Sequence, residues 1–558
     1  MTRRFSRINL AALTGCLVAL AGTGTAHAAI KQLPHYRAFL IKPPDPQANV
    51  GSGTLANPDP FASSFGERLR TIGDTNGDGV KEVLIADVNY NAPGNPGQGR
   101  LYIFDPVTRR VLRTFDDPTP QANARFGFWS AALGSTGEFV ASADAQNVGP
   151  KSQGQVFVFD GKTGALRMTI NDPDPQPKAD FGGNVISPGD LNGDGFPDVV
   201  VTASRAGRGA GIAYAFDGRT GRLLYRIPNP DPTQLSGFGF GAAELGDVNG
   251  DGVGDYQIGA PFYNDQGFSK SGRSYVFSGK TGQLIYTLAN PDPTMNARFG
   301  QADADGIAPG RTGGPKAAPG IYVDGFLSND GSVMNAGLGY FFSGKTGQLV
   351  SRLHDPTPQI GGQFGVADAQ VLDFGKDGLP ALAVGQDPHH DPTAAAVLSH
   401  VTVFGGADLS KVLLVFKDPM AQPNSDFGNS IAVPGDVNRD SFPDFLIGAR
   451  SADVSGLPNA GAVWEFVSQD MTRPGVPRIR GPRFTRRRRN TYRFTSSDAD
   501  NVASELRFRC SIDSRRLHRC GSRLTGHLKR GRSFLRVQAI DPAGNMSRVR
   551  VIVIHRGH

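Results

Sequence analysis

The sequence has few cysteines, few tryptophans and no long apolar segment. Its 558 residues include three Cys and two Trp. An apolar run from Leu10 to about Ala21 is shorter than the ~20 residues that a membrane-spanning helix needs. No later segment approaches that length, so we predict a chain without a transmembrane span.

Familiar catalytic motifs are also missing. The sequence contains no Gly-x-Ser-x-Gly, no His-Glu-x-x-His and no phosphate-binding loop. His389-His390-Asp391 could suggest a metal site, but a polar surface loop explains these residues better. These absences favour a protein that is not an enzyme.

The first 28 residues predict an export signal. Basic residues at Arg3, Arg4 and Arg7 precede the apolar run, and Ala26-His27-Ala28 provides a small-x-small cleavage pattern. An alternative is a lipobox ending at Cys16, which would make that cysteine a lipid anchor. Either interpretation predicts a secreted or cell-surface protein.

Glycine, proline and an uneven charge distribution dominate what is present. The 73 Gly and 40 Pro suit short strands joined by tight turns and suit long helices badly. The net charge is +7, yet residues 474–558 carry 21 Lys and Arg against five Asp and Glu. We therefore predict a signal peptide (1–28), a repeat domain (29–473), a linker (474–485) and a basic C-terminal module (486–558).

A Phe-Gly pair recurs about every 60 residues in the repeat domain. Each pair is followed by an apolar segment, an acidic loop, two or three alternating strands and an Asp-Pro-rich end. Four short strands per repeat are typical of propeller blades, which bury both faces only against their neighbours. The sequence predicts an all-β, seven-bladed β-propeller of four-stranded antiparallel blades. The pairs begin at Phe65, Phe126, Phe181, Phe238, Phe299, Phe364 and Phe427.

The chain ends of the propeller are predicted to pair with each other. The seventh repeat lacks a final strand after the segment around Trp464, whereas Tyr36 to Ile41 forms a spare strand before the first repeat. Completing the last blade with this strand removes an open edge.

Four of the acidic loops have the spacing of a calcium-binding loop. Oxygen-bearing side chains occupy loop positions 1, 3, 5 and 9, position 7 offers a backbone carbonyl, and a hard dication prefers such a set of oxygens. We predict about four structural Ca²⁺ sites; the alternative is a set of Asx-rich turns without metal. The candidate ligands are Asp74, Asn76, Asp78, Val80 and Glu82; Asp190, Asn192, Asp194, Phe196 and Asp198; Asp247, Asn249, Asp251, Val253 and Asp255; and Asp436, Asn438, Asp440, Phe442 and Asp444.

Three repeats depart from this pattern. The sixth loop, from Asp373 to Ala381, lacks ligands at positions 3 and 9, so we expect weak binding or none. The second repeat has Ser135 at the first position, and the fifth has Ala308, or Arg311 after a local insertion. These two repeats are predicted to have lost the site.

The repeats resemble the FG-GAP repeats of integrin α subunits. Besides the seven Phe-Gly pairs, Gly259-Ala260-Pro261 is a literal Gly-Ala-Pro. The resemblance implies a seven-bladed propeller with calcium on its lower face and ligands on upper-face loops. By position, it suggests Phe262, Tyr263 and Asp265 as ligand contacts, although an aromatic residue in such a loop is more often a packing anchor.

The C-terminal module is predicted to be a small β-sandwich. Its alternating segments resemble the Ig-like modules of exported bacterial proteins, and Cys510 and Cys520 are predicted to form a disulfide. Its run from Arg486 to Arg489 suggests an anionic surface as partner, or else a solvated basic face. No aromatic stacking platform accompanies these arginines, so specific nucleic-acid binding is not expected.

The leading functional prediction is a non-catalytic module for adhesion or ligand binding. Its partner would be an extracellular protein or glycan. The alternative is an extracellular carbohydrate-active enzyme, a lyase or hydrolase, whose residues from different blades meet at the propeller axis. A purely structural surface protein is a third possibility.

Overall fold

The computed structural model describes most of the chain after residue 34. The described residues are 35–46, 65–149, 153–301, 320–371, 374, 379–388, 398–423, 425–469, 473–498, 506–541 and 544–557. The predicted signal, Cys16, most of the sixth acidic loop, Ala308, Arg311 and His389-His390-Asp391 lie outside them. The chain divides into two compact units, 1–33 and 34–558, and the description below concerns the second.

A single strand precedes the repeats, and seven antiparallel sheets then follow one another within the described residues. The first strand is β1 (His35–Ile41). The first three sheets are formed by β2 (Phe65–Thr71), β3 (Val83–Asp87), β4 (Arg100–Asp105) and β5 (Arg110–Asp116); by β6 (Phe126–Leu133), β7 (Glu138–Ala143), β8 (Gln155–Asp160) and β9 (Leu166–Ile170); and by β10 (Phe181–Gly189), β11 (Asp198–Ala203), β12 (Ile212–Phe216) and β13 (Leu223–Pro228), with a short helix α1 (Ala206–Gly209) after β11.

The remaining four sheets repeat the same order of strands. They are formed by β14 (Ala242–Gly246), β15 (Asp255–Ala260), β16 (Arg273–Phe277) and β17 (Leu284–Ala289); by β18 (Gly320–Gly325), β19 (Leu338–Ser343) and β20 (Leu349–Leu353); by β21 (Phe364–Val371), β22 (Ala381–Gln386), β23 (His400–Gly405) and β24 (Lys411–Lys417); and by β25 (Phe427–Gly435), β26 (Asp444–Ala449) and β27 (Ala462–Gln469). In the described part of the chain, no helix is long and apolar enough to cross a bilayer.

The Phe-Gly pair fixes the start of each blade. All seven phenylalanines of these pairs are completely buried. The glycine that follows has positive φ in every repeat, for example +89° at Gly127, which residues with a side chain rarely adopt. A Cβ atom there would lie 2.8 Å from Cγ of Leu101 in the preceding sheet, so glycine also permits the close contact between neighbouring blades.

Apolar clusters join each sheet to the next. Between the first two sheets, for example, the rings of Phe115 and Phe139 lie 5.1 Å apart, and Phe159 stacks on Phe139 and meets Phe115 edge to face. Comparable clusters join the second to the third sheet and so on to the sixth. Phe416 and Phe445 link the sixth to the seventh, whose Leu446 packs in one cluster with residues of the first. This cyclic packing of seven sheets, six of them four-stranded among the described residues, confirms the β-propeller class.

The predicted clasp is present. Strand β1 pairs antiparallel with β27, in a register that runs from His35 opposite Gln469 to Ile41 opposite Val463. The hydroxyl group of Tyr36 donates a hydrogen bond to the carbonyl oxygen of Pro443 at 2.9 Å. The last blade is therefore completed by the N-terminal strand, in the order β1-β27-β26-β25.

The C-terminal residues form two sheets around a common core. Tyr492 and Phe494 of one sheet pack against Leu535 and Ile554 of the other, and a disulfide joins Cys510 to Cys520 as predicted. One sheet has the order β28-β30-β33 and the other β29-β35-β34-β31-β32. The strands are β28 (Arg478–Arg480), β29 (Phe484–Thr485), β30 (Arg489–Thr495), β31 (Arg507–Ile512), β32 (His518–Cys520), β33 (Arg523–His527), β34 (Gly531–Ile540) and β35 (Arg550–Arg556).

The predicted linker needs a correction. Strands β28 and β29 lie inside the segment 474–485, and each joins one of the two C-terminal sheets. Ile479 of β28 packs against the core of this module, which explains why the segment is ordered as a strand. The other domain boundaries and the Ig-like assignment stay predictions.

Candidate functional site

The four predicted calcium loops occupy equivalent places in the propeller. Each connects the first to the second strand of a blade: β2 to β3, β10 to β11, β14 to β15 and β25 to β26. Since the strands are antiparallel and the blades repeat, the four loops lie at the same end of their sheets. The opposite end carries the residues just before each Phe-Gly pair.

The four loops share one hydrogen-bond scheme. The N–H of position 6 donates to the position 1 carboxylate, that of position 5 to the position 3 amide, and that of position 7 to the position 5 carboxylate. In the first two loops these pairs are Gly79 to Asp74 (2.9 Å), Asp78 to Asn76 (2.8 Å) and Val80 to Asp78 (2.9 Å), and Gly195 to Asp190 (2.7 Å), Asp194 to Asn192 (2.9 Å) and Phe196 to Asp194 (2.8 Å). In the last two they are Gly252 to Asp247 (2.9 Å), Asp251 to Asn249 (2.8 Å) and Val253 to Asp251 (3.0 Å), and Ser441 to Asp436 (2.7 Å), Asp440 to Asn438 (3.0 Å) and Phe442 to Asp440 (3.0 Å).

The bend at position 6 requires a left-handed backbone. Its φ angle is +89° at Gly79, and it is +73° at Ser441, the one loop without glycine at this position. Ser441 therefore adopts the same left-handed backbone as the glycines of the other loops. This conformation costs more for a residue with a side chain than for glycine.

The first loop gathers three carboxylates around one point. Ligand oxygens of Asp74, Asp78 and Glu82 lie within 4.8 Å of one another. Glu82 is completely buried, and its Oε1 atom has no hydrogen-bond partner among the described residues. Oε2 accepts from the backbone N–H of Thr75 and from the Thr75 hydroxyl at 2.6 Å. A buried carboxylate oxygen that lacks a donor, beside two further carboxylates, fits a divalent cation that prefers oxygen ligands.

Electrostatics in this loop agree with that fit. Burial raises the pKa of the Glu82 carboxyl, the hydrogen bonds from Thr75 oppose this rise, and the nearby charges of Asp74 and Asp78 add to it. Desolvation also raises the pKa of Asp74, but the N–H groups of Gly79 and Gly77 outweigh it and leave that pKa below its ordinary value. The like charges held together here would be relieved by a cation.

The other three loops use their position 9 carboxylate differently. The Oδ2 atom of Asp255 accepts from the N–H groups of Val248 and Asn249 at 2.9 and 3.1 Å, and Oδ1 accepts from the N–H of Gly279 at 3.0 Å. Asp198 makes the equivalent bonds to Leu191, Asn192 and Gly218, and Asp444 bonds Val437 and Ser468. Asp198 and Asp255 thus connect the start of the loop to the turn after the third strand. Asp444 connects the start of its loop to the end of β27.

The acidic residue at position 9 is therefore not by itself evidence for a cation. Backbone hydrogen bonds explain three of the four position 9 carboxylates. Among the residues that the structure describes, the only carboxylate grouping close enough to share one cation is that of the first loop.

The suggested upper-face contacts are mostly packing residues. Tyr263 is buried, and its hydroxyl donates to Oδ2 of Asp231 at 2.6 Å. Asp265 is buried as well and forms an ion pair with Arg273 at 2.5 Å. Phe262 is half-buried and contacts the ring of Phe240 at 5.5 Å. Phe262 is thus the one member of the three that is still accessible.

The structure has a cavity at the propeller axis, where the sequence analysis placed the alternative enzyme site without naming its residues. Its volume is about 380 Å³, and its lining residues come from six of the seven sheets or the turns beside them, all but the sixth. Many of these residues precede a first strand, as Arg125 and Asp180 do, or follow a second strand, as Asp144 and Arg450 do. The cavity thus lies at the end of the sheets opposite the acidic loops. These positions are far apart in the sequence and meet only because the blades pack in a ring, so no local sequence pattern indicates them.

Charged side chains around the cavity are mostly paired. Arg450 is buried and forms ion pairs with Glu67 (3.4 Å), Asp387 (2.9 Å) and Asp426 (3.2 Å), which belong to three different blades. Arg125 pairs with Asp144 at 3.2 Å. Burial raises the pKa of Asp144 to about 7 although Arg125 opposes this shift.

Comparisons with known proteins agree with the repeat pattern. A family model described as FG-GAP repeat matches residues 182–216 and 427–466. Integrin alpha-4 of Xenopus laevis is 28% identical over 189 residues, which are 31% of this chain and 18% of that protein. Integrin alpha-2 of Bos taurus is 32% identical over 119 residues, which are 20% of this chain and 10% of that protein. Integrin alpha pat-2 of Caenorhabditis briggsae is 25% identical over 283 residues, covering 47% and 22%.

These matches span only about a tenth to a quarter of the relatives' own length. Among solved structures, the WD40 repeats of RRP9 align with a TM-score of 0.44 at 8% identity, covering 79% of this chain and all of that one. The matched repeats coincide with blades that the structure builds from β10 to β12 and from β25 to β27. The chain is a β-propeller protein that carries FG-GAP repeats and is similar in part to integrin α chains.

Proposed function

We propose that this chain is a secreted or cell-surface, calcium-binding β-propeller that serves as a non-catalytic adhesion or ligand-binding module. Its seven blades would carry about four structural Ca²⁺ ions in the loops that begin at Asp74, Asp190, Asp247 and Asp436. The observation that carries the proposal is the common hydrogen-bond scheme of these loops, which recurs at one phase of the repeat. The partial similarity to integrin α chains supports an extracellular protein or glycan as the partner.

Calcium would act by holding the loops rather than by chemistry. A cation bound only by the folded protein stabilises it by about 1.4 kcal/mol when its free concentration is ten times Kd. Extracellular modules work with weak sites of this kind because calcium there is millimolar. The first loop is the best-supported site because its carboxylates already converge.

The test measures calcium and ligand together. Full-length protein is applied to an array of glycans and extracellular proteins with saturating calcium and with chelator, and thermal unfolding is recorded under both conditions. The proposal expects stabilisation by calcium and saturable binding of at least one array member. Identical unfolding curves would remove the calcium claim, and an array without any binding would remove the ligand-binding claim.

The basic C-terminal module suggests a second contact, with an anionic surface. Arg486, Arg487, Arg488 and Arg489 are all exposed on one short segment. Such a cluster attracts polyanions in a salt-dependent manner. Replacing the four arginines with glutamine should abolish co-sedimentation with phosphatidylglycerol vesicles at low salt; unchanged sedimentation would leave only a solubilising role.

One observation favours the alternative of a carbohydrate-active enzyme. Asp144 lines the axial cavity with a pKa of about 7, the value that suits a general acid near neutral pH. A panel of extracellular polysaccharides assayed for new reducing ends would test this alternative. Activity that disappears in Asp144→Asn would favour a lyase or hydrolase, and an inactive panel would favour the binding module.

A further inference from the structure

Arg298 is an arginine of the axial cavity whose charge no carboxylate among the described residues neutralises. It is half-buried and lines the cavity. Within the described residues no carboxylate lies at ion-pair distance from it, and its Nε atom is buried without a hydrogen-bond partner. Among the described residues, its polar side-chain contact joins Nη1 to Oε1 of Gln301 at 3.4 Å, a long bond to a neutral group.

Three other cavity arginines have a carboxylate nearby, and a fourth, Arg68, donates a hydrogen bond to the carbonyl oxygen of Glu67 at 3.0 Å. Arg125 pairs with Asp144 at 3.2 Å, Arg205 lies 3.8 Å from Asp180, and Arg450 contacts three carboxylates. A partly buried cation without a counter-ion is costly, and a bound anion would supply the missing charge. As far as the described residues show, Arg298 is therefore a cationic position in the axial cavity that an external anion can neutralise.

The backbone holds Arg298 in place. Arg298 precedes the pair Phe299-Gly300 and has a φ angle of +55°. Its backbone N–H donates to the carbonyl oxygen of Lys270 at 3.1 Å. Its guanidinium group lies 5.6 Å from the centre of the Phe262 ring. The side chain is thus positioned before a ligand arrives, which lowers the entropic cost of binding.

The surroundings of Arg298 limit the ligand. Asp144 and Asp180 also line the cavity and would repel a group with two negative charges, such as phosphate. A carboxylate carries one charge and matches the planar fork of a guanidinium group. Phe128 and Phe240, both half-buried, add apolar faces to the wall. The volume of about 380 Å³ lies within the ~300–1,000 Å³ of small-molecule pockets.

We propose that the axial cavity binds a compact carboxylate-bearing ligand, with the carboxylate on Arg298 and an apolar or C–H-rich face against Phe240. The ligand is of the size of an acidic disaccharide or a short acidic peptide. This assignment deepens the proposed ligand-binding function and rests on it, since it names the chemistry that the face opposite the calcium loops recognises.

Titration calorimetry on the calcium-saturated full-length protein tests the proposal. The probes are digalacturonate, the tripeptide Gly-Asp-Gly, their neutral counterparts digalactose and Gly-Asn-Gly, and inorganic phosphate. At least one acidic probe should bind saturably, its neutral counterpart at least about tenfold more weakly, and phosphate no better than the neutral probes. Which acidic probe binds tells whether the carboxylate comes from a sugar or from a peptide.

Variants connect binding to the proposed residue. Arg298→Gln should weaken binding of the acidic probe by about tenfold or more. Arg298→Lys should weaken this binding less because the charge remains. Arg226→Gln serves as matched control, since Arg226 is an exposed outer-strand arginine paired with Asp174 at 2.8 Å. The unfolding temperature of each variant shows that it is folded, and the lysine variant replaces the glutamine variant if the latter does not fold.

The outcomes separate this proposal from the broader one. No binding by either acidic probe, or equal binding by wild type and Arg298→Gln, would overturn the carboxylate site even if calcium stabilises the protein and the array finds a ligand. Loss of calcium stabilisation and an empty array would instead overturn the proposed function. Phosphate binding as tight as that of the acidic probe would overturn the carboxylate class.

Discussion

The first acidic loop and the third differ at three positions, and the difference at the last one changes what the loop can do. The first ends on Glu82, and the third ends on Asp255. The longer side chain leaves one buried oxygen without a donor beside Asp74 and Asp78, whereas both oxygens of Asp255 accept backbone N–H groups. One methylene group thus separates a carboxylate available to a cation from a carboxylate that holds two turns together.

This comparison teaches that a shared spacing does not imply a shared role at every position. Positions 1, 3 and 5 make the same bonds in all four loops, so the loop shape is common to them. The loops differ in the role of position 9. In the first loop its carboxylate lies beside two other carboxylates, and in the other three loops it accepts backbone hydrogen bonds. Four predictions test this difference.

Removing calcium should have the largest effect. If all four loops bind the ion, a chelator should lower the free energy of unfolding by about 5–6 kcal/mol, on the basis of about 1.4 kcal/mol for each site. If only the first loop binds, the loss should be about 1.4 kcal/mol. Denaturant unfolding combined with a measured calcium stoichiometry decides between the two values, and a stoichiometry of zero would contradict both.

Substitutions at position 9 should separate the two roles. Asp255→Asn should cost about 2 kcal/mol with or without calcium, because an amide group places a donor opposite a backbone N–H. Glu82→Gln should lower the free energy of unfolding mainly when calcium is present. The measurement is the free energy of unfolding of both variants in calcium and in chelator; equal calcium dependence in the two would refute the distinction.

A buried carboxylate outside the loops provides a reference without metal. Burial raises the pKa of Asp87 to about 8, and the charge of Glu67 contributes while Arg100 opposes the shift. The folded state then holds a proton that the unfolded state releases near pH 4, so this group reduces stability as the pH rises from about 4 to about 8. Asp87→Asn cannot ionise and should therefore become more stable relative to wild type over this window, by at least about 1 kcal/mol.

The readout is the difference between Asp87→Asn and wild type at pH 5 and at pH 8, measured by urea unfolding in chelator. Other groups that titrate in both proteins cancel in this difference. A difference that does not change with pH would contradict the raised pKa. Its persistence in chelator separates this effect from that of the loops.

The smallest effect is expected at position 6. Gly79 has a φ angle of +89°, and a Cβ atom there would meet nothing within 4 Å, so Gly79→Ala adds strain without a clash. We expect a loss of about 1 kcal/mol. Ser441→Gly in the fourth loop should gain a similar or smaller amount, because its φ angle is +73°. Thermal unfolding checks both, and a stabilised Gly79→Ala would contradict the shared loop geometry.

Much of the fold was accessible from the sequence because its causes are local and repeated. The Phe-Gly pairs, the loop spacing and the spare strand around Tyr36 each carry their own signal. The bracing role of Asp255 was missed because its partner Gly279 lies in a turn 24 residues further along the chain. Arg298 could not be recognised as a cavity residue for the same reason, since only the packed ring sets its neighbours.

The clasp of the last blade has a mechanical consequence. His35 lies opposite Gln469, so the two chain ends that leave the ring are at the same end of one strand pair. Tension applied between these ends would load that first rung alone and then the next, as in unzipping, instead of shearing the strand pair all at once. The ring would therefore open at low force from this seam, while the blades behind it bear little of the load.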